Sequence, residues 1–107
     1  MKQIAPAELA AWLADANRGQ PLLLDVREPW EWQTARIAGA QHIPMREVPA
    51  RLGELDGARE VVAICHHGGR SQQVAMFLEK NGFSKVHNLQ GGVDAWSRTV
   101  DPAVPVY

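Results

Sequence analysis

Leu22-Leu23-Leu24 and Val61-Val62-Ala63-Ile64 are apolar without interruption, so a strand built from either has no face to give to water. Strands of that kind belong inside parallel sheets, covered on both faces by helices. The stretches between them carry the helical period that such a sheet needs. Pro6 suits a first helical position, and Leu9, Trp12, Leu13 and Ala16 recur at helical spacing before Asn17-Arg18-Gly19 ends the segment. Pro29 opens a short helix carrying Trp32, and Gly39–Pro44 supplies a turn and a brief strand. A helix is expected through Val48, Leu52 and Leu55. A strongly amphipathic one follows, with Val74, Ala75, Phe77 and Leu78 on one side and Gln72, Gln73, Glu79 and Lys80 on the other, and it stops at Asn81-Gly82. Val86–Leu89 reads as the last strand and Val93–Arg98 as a closing helix. The expectation is an α/β fold in one domain, residues 1–107, with a mostly parallel central sheet flanked by helices on both faces. Trp12, Trp32 and Trp96 fall at apolar-periodic positions and are assigned to the core, with Met45 as filler.

Composition removes several classes of function. Eleven Lys+Arg against twelve Asp+Glu give a formal charge of -1, so nothing draws the chain as a whole to nucleic acid or an anionic membrane surface. The apolar runs are far too short to cross a bilayer, and the first residues lack the apolar stretch of a signal peptide. The sole cysteine, Cys65, precludes an internal disulfide and a zinc site of several thiolates. These features indicate the reducing cytoplasm. They also mean that covalent chemistry at the thiol must be resolved by a second molecule.

Cys65 ends the Val61–Ile64 run, where α/β sheets gather their sites, and His66-His67-Gly68-Gly69-Arg70-Ser71 leads from it into a helix. The two glycines allow a sharp turn that points backbone N–H groups inward, and the helix adds its positive N-terminal end. A thiol at the centre of such a ring is expected to exist partly as thiolate, the reactive form. Arg70 supplies either a fixed positive charge for an anion or a planar fork that braces the loop. By itself, a cysteine closing a buried strand is more often a small core hydrophobe than a nucleophile; Gly68-Gly69 and Arg70 immediately before a helix shift the balance toward function.

The wider pattern resembles the rhodanese family of sulfurtransferase domains, in its single-domain form, over nearly the whole chain. Asp25-Val26-Arg27-Glu28-Pro29 with Glu31-Trp32 is similar to the family's first signature, and Ile37-Ala38-Gly39-Ala40 with Ile43-Pro44 to the segment after it. Cys65 through Ser71 is similar to the active-site loop, Gly82-Phe83 and Val86 to the next turn and strand, and Asn88-Leu89, Gly91-Gly92 and Ala95-Trp96 to the closing motif. The resemblance implies a rhodanese-like sheet of about five short strands and a persulfide formed on Cys65. It implies that His66 to Ser71 hold the transferred sulfur, that Asp25 and Arg27 brace the site, and that no cofactor is needed. The partners implied are a small sulfur donor such as thiosulfate and a thiol acceptor, on a monomer or weak homodimer. Ala35-Arg36 stands where the family usually has Gly-His, and the loop lacks the lysine of thiosulfate-specialised relatives.

Three rival readings differ in testable ways. Phosphatase and arsenate-reductase loops have five residues between cysteine and arginine; here four lie between Cys65 and Arg70, which leaves room for one sulfur atom and not for a tetrahedral oxyanion. A metal on Cys65, His66 and His67 is disfavoured because neighbours in a tight loop seldom point at one ion. His66 and His67 are read as polar rim, and His42 and His87 as hydrogen-bonded strand or turn residues. A non-catalytic binding module would keep the fold without the chemistry. Trp30, two residues from Trp32 and so on the opposite side of a helix, is expected at the rim, partly exposed.

Overall fold

The computed structural model describes all 107 residues. Its five strands are β1 (Lys2–Ile4), β2 (Leu22–Asp25), β3 (Gln41–His42), β4 (Val61–Ile64) and β5 (Val86–Leu89), in the order β1-β5-β4-β2-β3. Every neighbouring pair is parallel, and the two unbroken apolar runs form adjacent inner strands, with Leu23 opposite Val62 and Leu24 opposite Ala63. Four α-helices cover the sheet: α1 (Pro6–Ala14), α2 (Pro29–Thr34), α3 (Gly69–Lys80) and α4 (Gly92–Thr99). No helix is long and apolar enough to cross a membrane.

Alternation along the inner strands divides the core in two. Leu23, Val62 and Ile64 pack with Leu9 and Trp12 of α1 and Val93 and Trp96 of α4. Leu24, Val61, Ala63 and Cys65 face the other way, onto Val74, Ala75 and Leu78 of α3. Both faces of the sheet are therefore dry, as strands without a polar side require. Parallel pairing also brings the carboxyl ends of β2, β4 and β5 to one edge, so the loops after Asp25, Ile64 and Leu89 meet there.

The structure departs from the expectations at places with identifiable causes. β1 has no apolar signature in the sequence: it is an edge strand with only Ile4 buried, held through backbone pairing to β5. The expected helix through Val48 and Leu55 is instead two 3₁₀ segments, Met45–Glu47 and Pro49–Glu54, with a kink at Arg51. Pro49 has no N–H to continue a helical ladder. Ala16 lies beyond the end of α1 and is exposed. Met45 and Phe77 are half-buried against the core. Trp32 is not a core residue; it is half-buried, stacked on His42 with ring centroids 4.9 Å apart and covered by the guanidinium of Arg36. The inward position on α2 belongs to Glu31.

Leu24 is fully buried at the centre of its layer. Leu24→Ala is expected to cost about 2–5 kcal/mol, seen as a lower denaturant midpoint at unchanged slope.

Candidate active site

Cys65 sits at the carboxyl end of β4, and only 1% of its surface is exposed. Gly68, at φ +104°, turns the chain back toward the thiol, and its N–H donates to Sγ at 3.0 Å. The helix starts earlier than its apolar period suggests, at Gly69, which places Ser71 in the first turn with Oγ 3.2 Å from Sγ. Asn88 of β5 fixes that hydroxyl. Its Nδ2 donates to Gly68 O at 3.1 Å and to Gln3 Oε1 at 2.9 Å, so its Oδ1 must face Ser71 and accept from it. A hydroxyl has one proton. While that proton serves Asn88, the Ser71 oxygen meets Sγ as an acceptor of the thiol S–H.

The loop's carbonyls are held from the other side by the start of α4. The N–H of Val93 donates to Cys65 O at 2.9 Å and that of Asp94 to His66 O at 3.0 Å. Gly92, at φ +61°, makes this approach possible, since a Cβ there would lie 2.3 Å from Cys65 O. With those carbonyls engaged by α4, the loop is set in the turn that lets Gly68 donate to the sulfur.

Arg70 is a brace. Its Nη1 and Nη2 donate to the two carboxylate oxygens of Glu31 at 2.6 and 2.8 Å, the planar fork that a lysine cannot reproduce. Glu31 is 3% exposed, and its Oε1 also accepts from Glu28 N–H at the start of α2. Arg70 foremost, against the cost of burial, holds the Glu31 carboxyl down at about 2. Beneath it lies a second pair, both members fully buried: Arg27 Nη2 donates to Asp25 Oδ2 at 2.7 Å and Nε to Oδ1 at 3.0 Å. Burial opposes the charge on Arg27, but Asp25 and then Tyr107 outweigh it and raise its pKa. Tyr107 joins the two pairs. It accepts from Arg27 Nη1 at 2.7 Å and donates to Glu31 Oε2 at 2.8 Å. Burial pushes its phenol up to about 12, so the hydroxyl keeps its proton.

At the rim, the Tyr107 ring lies on His66 with centroids 4.0 Å apart and planes within 9°. Trp30 is 61% exposed and meets Tyr107 edge-on, the outward position expected of it. Burial first, and the neighbouring His67 second, lower the pKa of His66, and its Nε2 has no partner. His42 Nε2 bonds Arg27 O at 2.7 Å, while His87 lies edge-on to Trp12. The fold does supply the acidic neighbour that the loop lacks in sequence: His66, His67 and Asp94 bring candidate ligand atoms within 4.8 Å of one another. The two imidazole rings lie with centroids 3.9 Å apart and planes tilted by 32°, and His67 is exposed at the rim.

The structure thus gathers all the residues singled out by sequence at one sheet edge, with Cys65 at the centre, His66 and His67 on the rim and Asp25 and Arg27 below. Sequence reasoning missed Glu31, Asn88 and Tyr107 as partners. It also missed the reason for Gly92, for which the Gly91-Gly92 doublet ahead of a helix was the available signal.

Similarity to known proteins points the same way. The profile of the rhodanese-like domain matches residues 5–99. A sulfurtransferase of Allochromatium vinosum is 36% identical over 104 residues, covering 97% of this chain and 95% of that protein. The chloroplastic rhodanese-like/PpiC domain-containing protein 12 of Arabidopsis thaliana is 39% identical over 112 residues, and this chain spans 38% of its length. The crystal structure of a rhodanese-like domain protein from Staphylococcus aureus superposes with a TM-score of 0.86 at 30% identity, over 100% of this chain and 99% of that one. The chain belongs to the rhodanese-like domain family and has its fold.

Two consequences can be measured. Glu31 binds its proton more weakly in the folded chain than in the unfolded one, so the stability its pairing confers is fully present above about pH 4.5 and is lost as pH falls through that value toward about 2. Melting temperature against pH should fall over that window, and Glu31→Gln should flatten that limb while lowering stability at neutral pH. For Gly92→Ala, crowding against Cys65 O adds to the cost of a side chain at positive φ, roughly 1–3 kcal/mol. Its melting temperature should drop, and Cys65 should become accessible to thiol reagents.

Proposed function

We propose that this chain is a sulfurtransferase that carries sulfane sulfur as a persulfide on Cys65. The observation that carries the reading is the seat of the sulfur: Sγ lies against the Gly68 N–H and the Ser71 hydroxyl, in a loop whose arginine is committed to Glu31. An arginine held in that way does not enter the loop to bind a phosphate, and four residues between Cys65 and Arg70 enclose little more than one sulfur atom. Kinship with a protein named sulfurtransferase supports the same class.

The cycle has two displacement steps. Cys65 loses its proton to solvent, and the Ser71 hydroxyl is free to turn from Asn88 to the thiolate. The thiolate attacks the outer sulfur of a donor such as thiosulfate; the new Sγ–S bond forms as the donor's S–S bond breaks, and sulfite departs with the electron pair. The terminal sulfur of the persulfide then carries the negative charge within the turn of His66 to Arg70, where backbone N–H groups of the loop would stabilise it. An acceptor thiolate, or cyanide, attacks that sulfur and regenerates the Cys65 thiolate. Each step conserves electrons, so no external oxidant or reductant is required. With no second thiol in the chain to resolve it, the persulfide persists until an acceptor arrives. A free nucleophilic thiol of this kind belongs in a reducing compartment, the cytoplasm.

Incubation with thiosulfate, followed by removal of excess, should raise the intact mass by one sulfur atom. Cyanide should reverse the gain and release thiocyanate, and Cys65→Ser should do neither while remaining folded. An unaltered mass with thiosulfate, mercaptopyruvate and glutathione persulfide alike would leave the non-catalytic binding module as the reading.

A further inference from the structure

Tyr107 lies outside the segment matched by the family profile, yet its hydroxyl hydrogen-bonds both Arg27 and Glu31. The route by which it gets there is built into the fold. The chain leaves α4, Val104 N–H donates to Asp101 O at 3.1 Å, and Val104 is buried beside α1 and α4, which delivers the final side chain to the sheet edge that holds Cys65. There the hydroxyl is the one side-chain group that contacts both ion pairs. Asp25–Arg27 lies under the β2 end and Glu31–Arg70 reaches into the sulfur loop through the first turn of α3.

We propose that Tyr107 is a positioning residue of the sulfur loop: its hydroxyl ties the buried Arg27 to the Glu31–Arg70 pair, and its ring seats His66 beside Cys65. Three observations carry this. The hydroxyl is fully used, accepting from Arg27 and donating to Glu31, so it aligns one carboxylate oxygen while Arg70 engages both. The stack on His66 lies one residue from the nucleophile. Arg70 and Ser71 are neighbours in the first turn of α3, so freedom gained at Arg70 is passed to the hydroxyl against Sγ. The inference rests on the sulfur-transfer reading for its consequence but not for its geometry, and the two can fail separately.

The test compares Tyr107→Phe, which keeps the stack and removes the hydroxyl, with the parent protein, and repeats the comparison in an Arg70→Ala background. Two rates are read, alkylation of Cys65 by iodoacetamide and gain of sulfur mass from thiosulfate. Loss of the tie loosens the loop, so alkylation of the nearly inaccessible thiol should rise about threefold or more and sulfur loading should fall by a similar factor, the scale of one hydrogen bond. In the Arg70→Ala background the loop is already released, and Tyr107→Phe should change neither rate by as much as about twofold. General destabilisation would instead act equally in both backgrounds. Unchanged rates in the parent background, or equal changes in both, would overturn the inference. If the parent protein gains no sulfur from any donor but the alkylation pattern holds, the sulfur-transfer reading fails and the positioning role stands.

Discussion

Glu31 is a carboxylate taken almost completely out of water, and that cost is met only because four donors converge on it: both terminal nitrogens of Arg70, the Tyr107 hydroxyl and the Glu28 N–H. They come from three residues, two of them, Arg70 and Tyr107, far from Glu31 in the chain. Arg70 brings the sulfur loop and α3, Tyr107 the last turn of the chain, and Glu28 the start of α2. Removing any one leaves a buried charge short of a partner, so the three segments are held together by a shared requirement for satisfaction. The Asp25–Arg27 pair repeats the principle one layer deeper, where both side chains are fully buried and each is the other's main partner.

That polar network would be without effect on chemistry if the sheet did not aim it. Parallel pairing of β2, β4 and β5 puts Asp25, Cys65 and the turn after Leu89 at one edge, and α4 then approaches closely enough for its first N–H groups to bond the carbonyls of Cys65 and His66. The loop is therefore fixed from both sides, by backbone donors of α4 and by the Arg70 fork. What is left facing the thiol is the Gly68 N–H and a hydroxyl whose single proton has two acceptors within reach. A site of this kind is suited to hold negative charge on sulfur without any charged group in contact with it.

How much of this the sequence discloses depends on the kind of force involved. Leu22–Leu24 and Val61–Ile64 lack a polar face, and that alone specifies inner strands of a parallel sheet; a cysteine at the end of one of them, followed by Gly-Gly and a helix, points to where the candidate site lies. Helical geometry also placed Trp30 outward, though it misassigned its neighbour. Hydrophobic spacing favours Trp32 as the buried face of α2, but Glu31, one residue and about 100° away, turns inward because Arg70 and Tyr107 wait there. Polar satisfaction overrode apolar periodicity. β1 escaped notice for a related reason, since an edge strand held by backbone pairing needs no apolar signature. Tyr107 had no local signal at all, because its partners lie 76 and 80 positions away and only the completed fold unites them.

The central claim is that Cys65 Sγ, in this loop, is the atom that takes the transferred sulfur. A crystal structure of the protein soaked in thiosulfate tests it most directly. The account predicts a second sulfur atom bonded to Cys65 Sγ at ~2.0 Å, inside the turn formed by His66 to Arg70, with the Arg70–Glu31 fork intact. A bare Sγ after soaking, or an intact tetrahedral oxyanion held by a released Arg70, would contradict it.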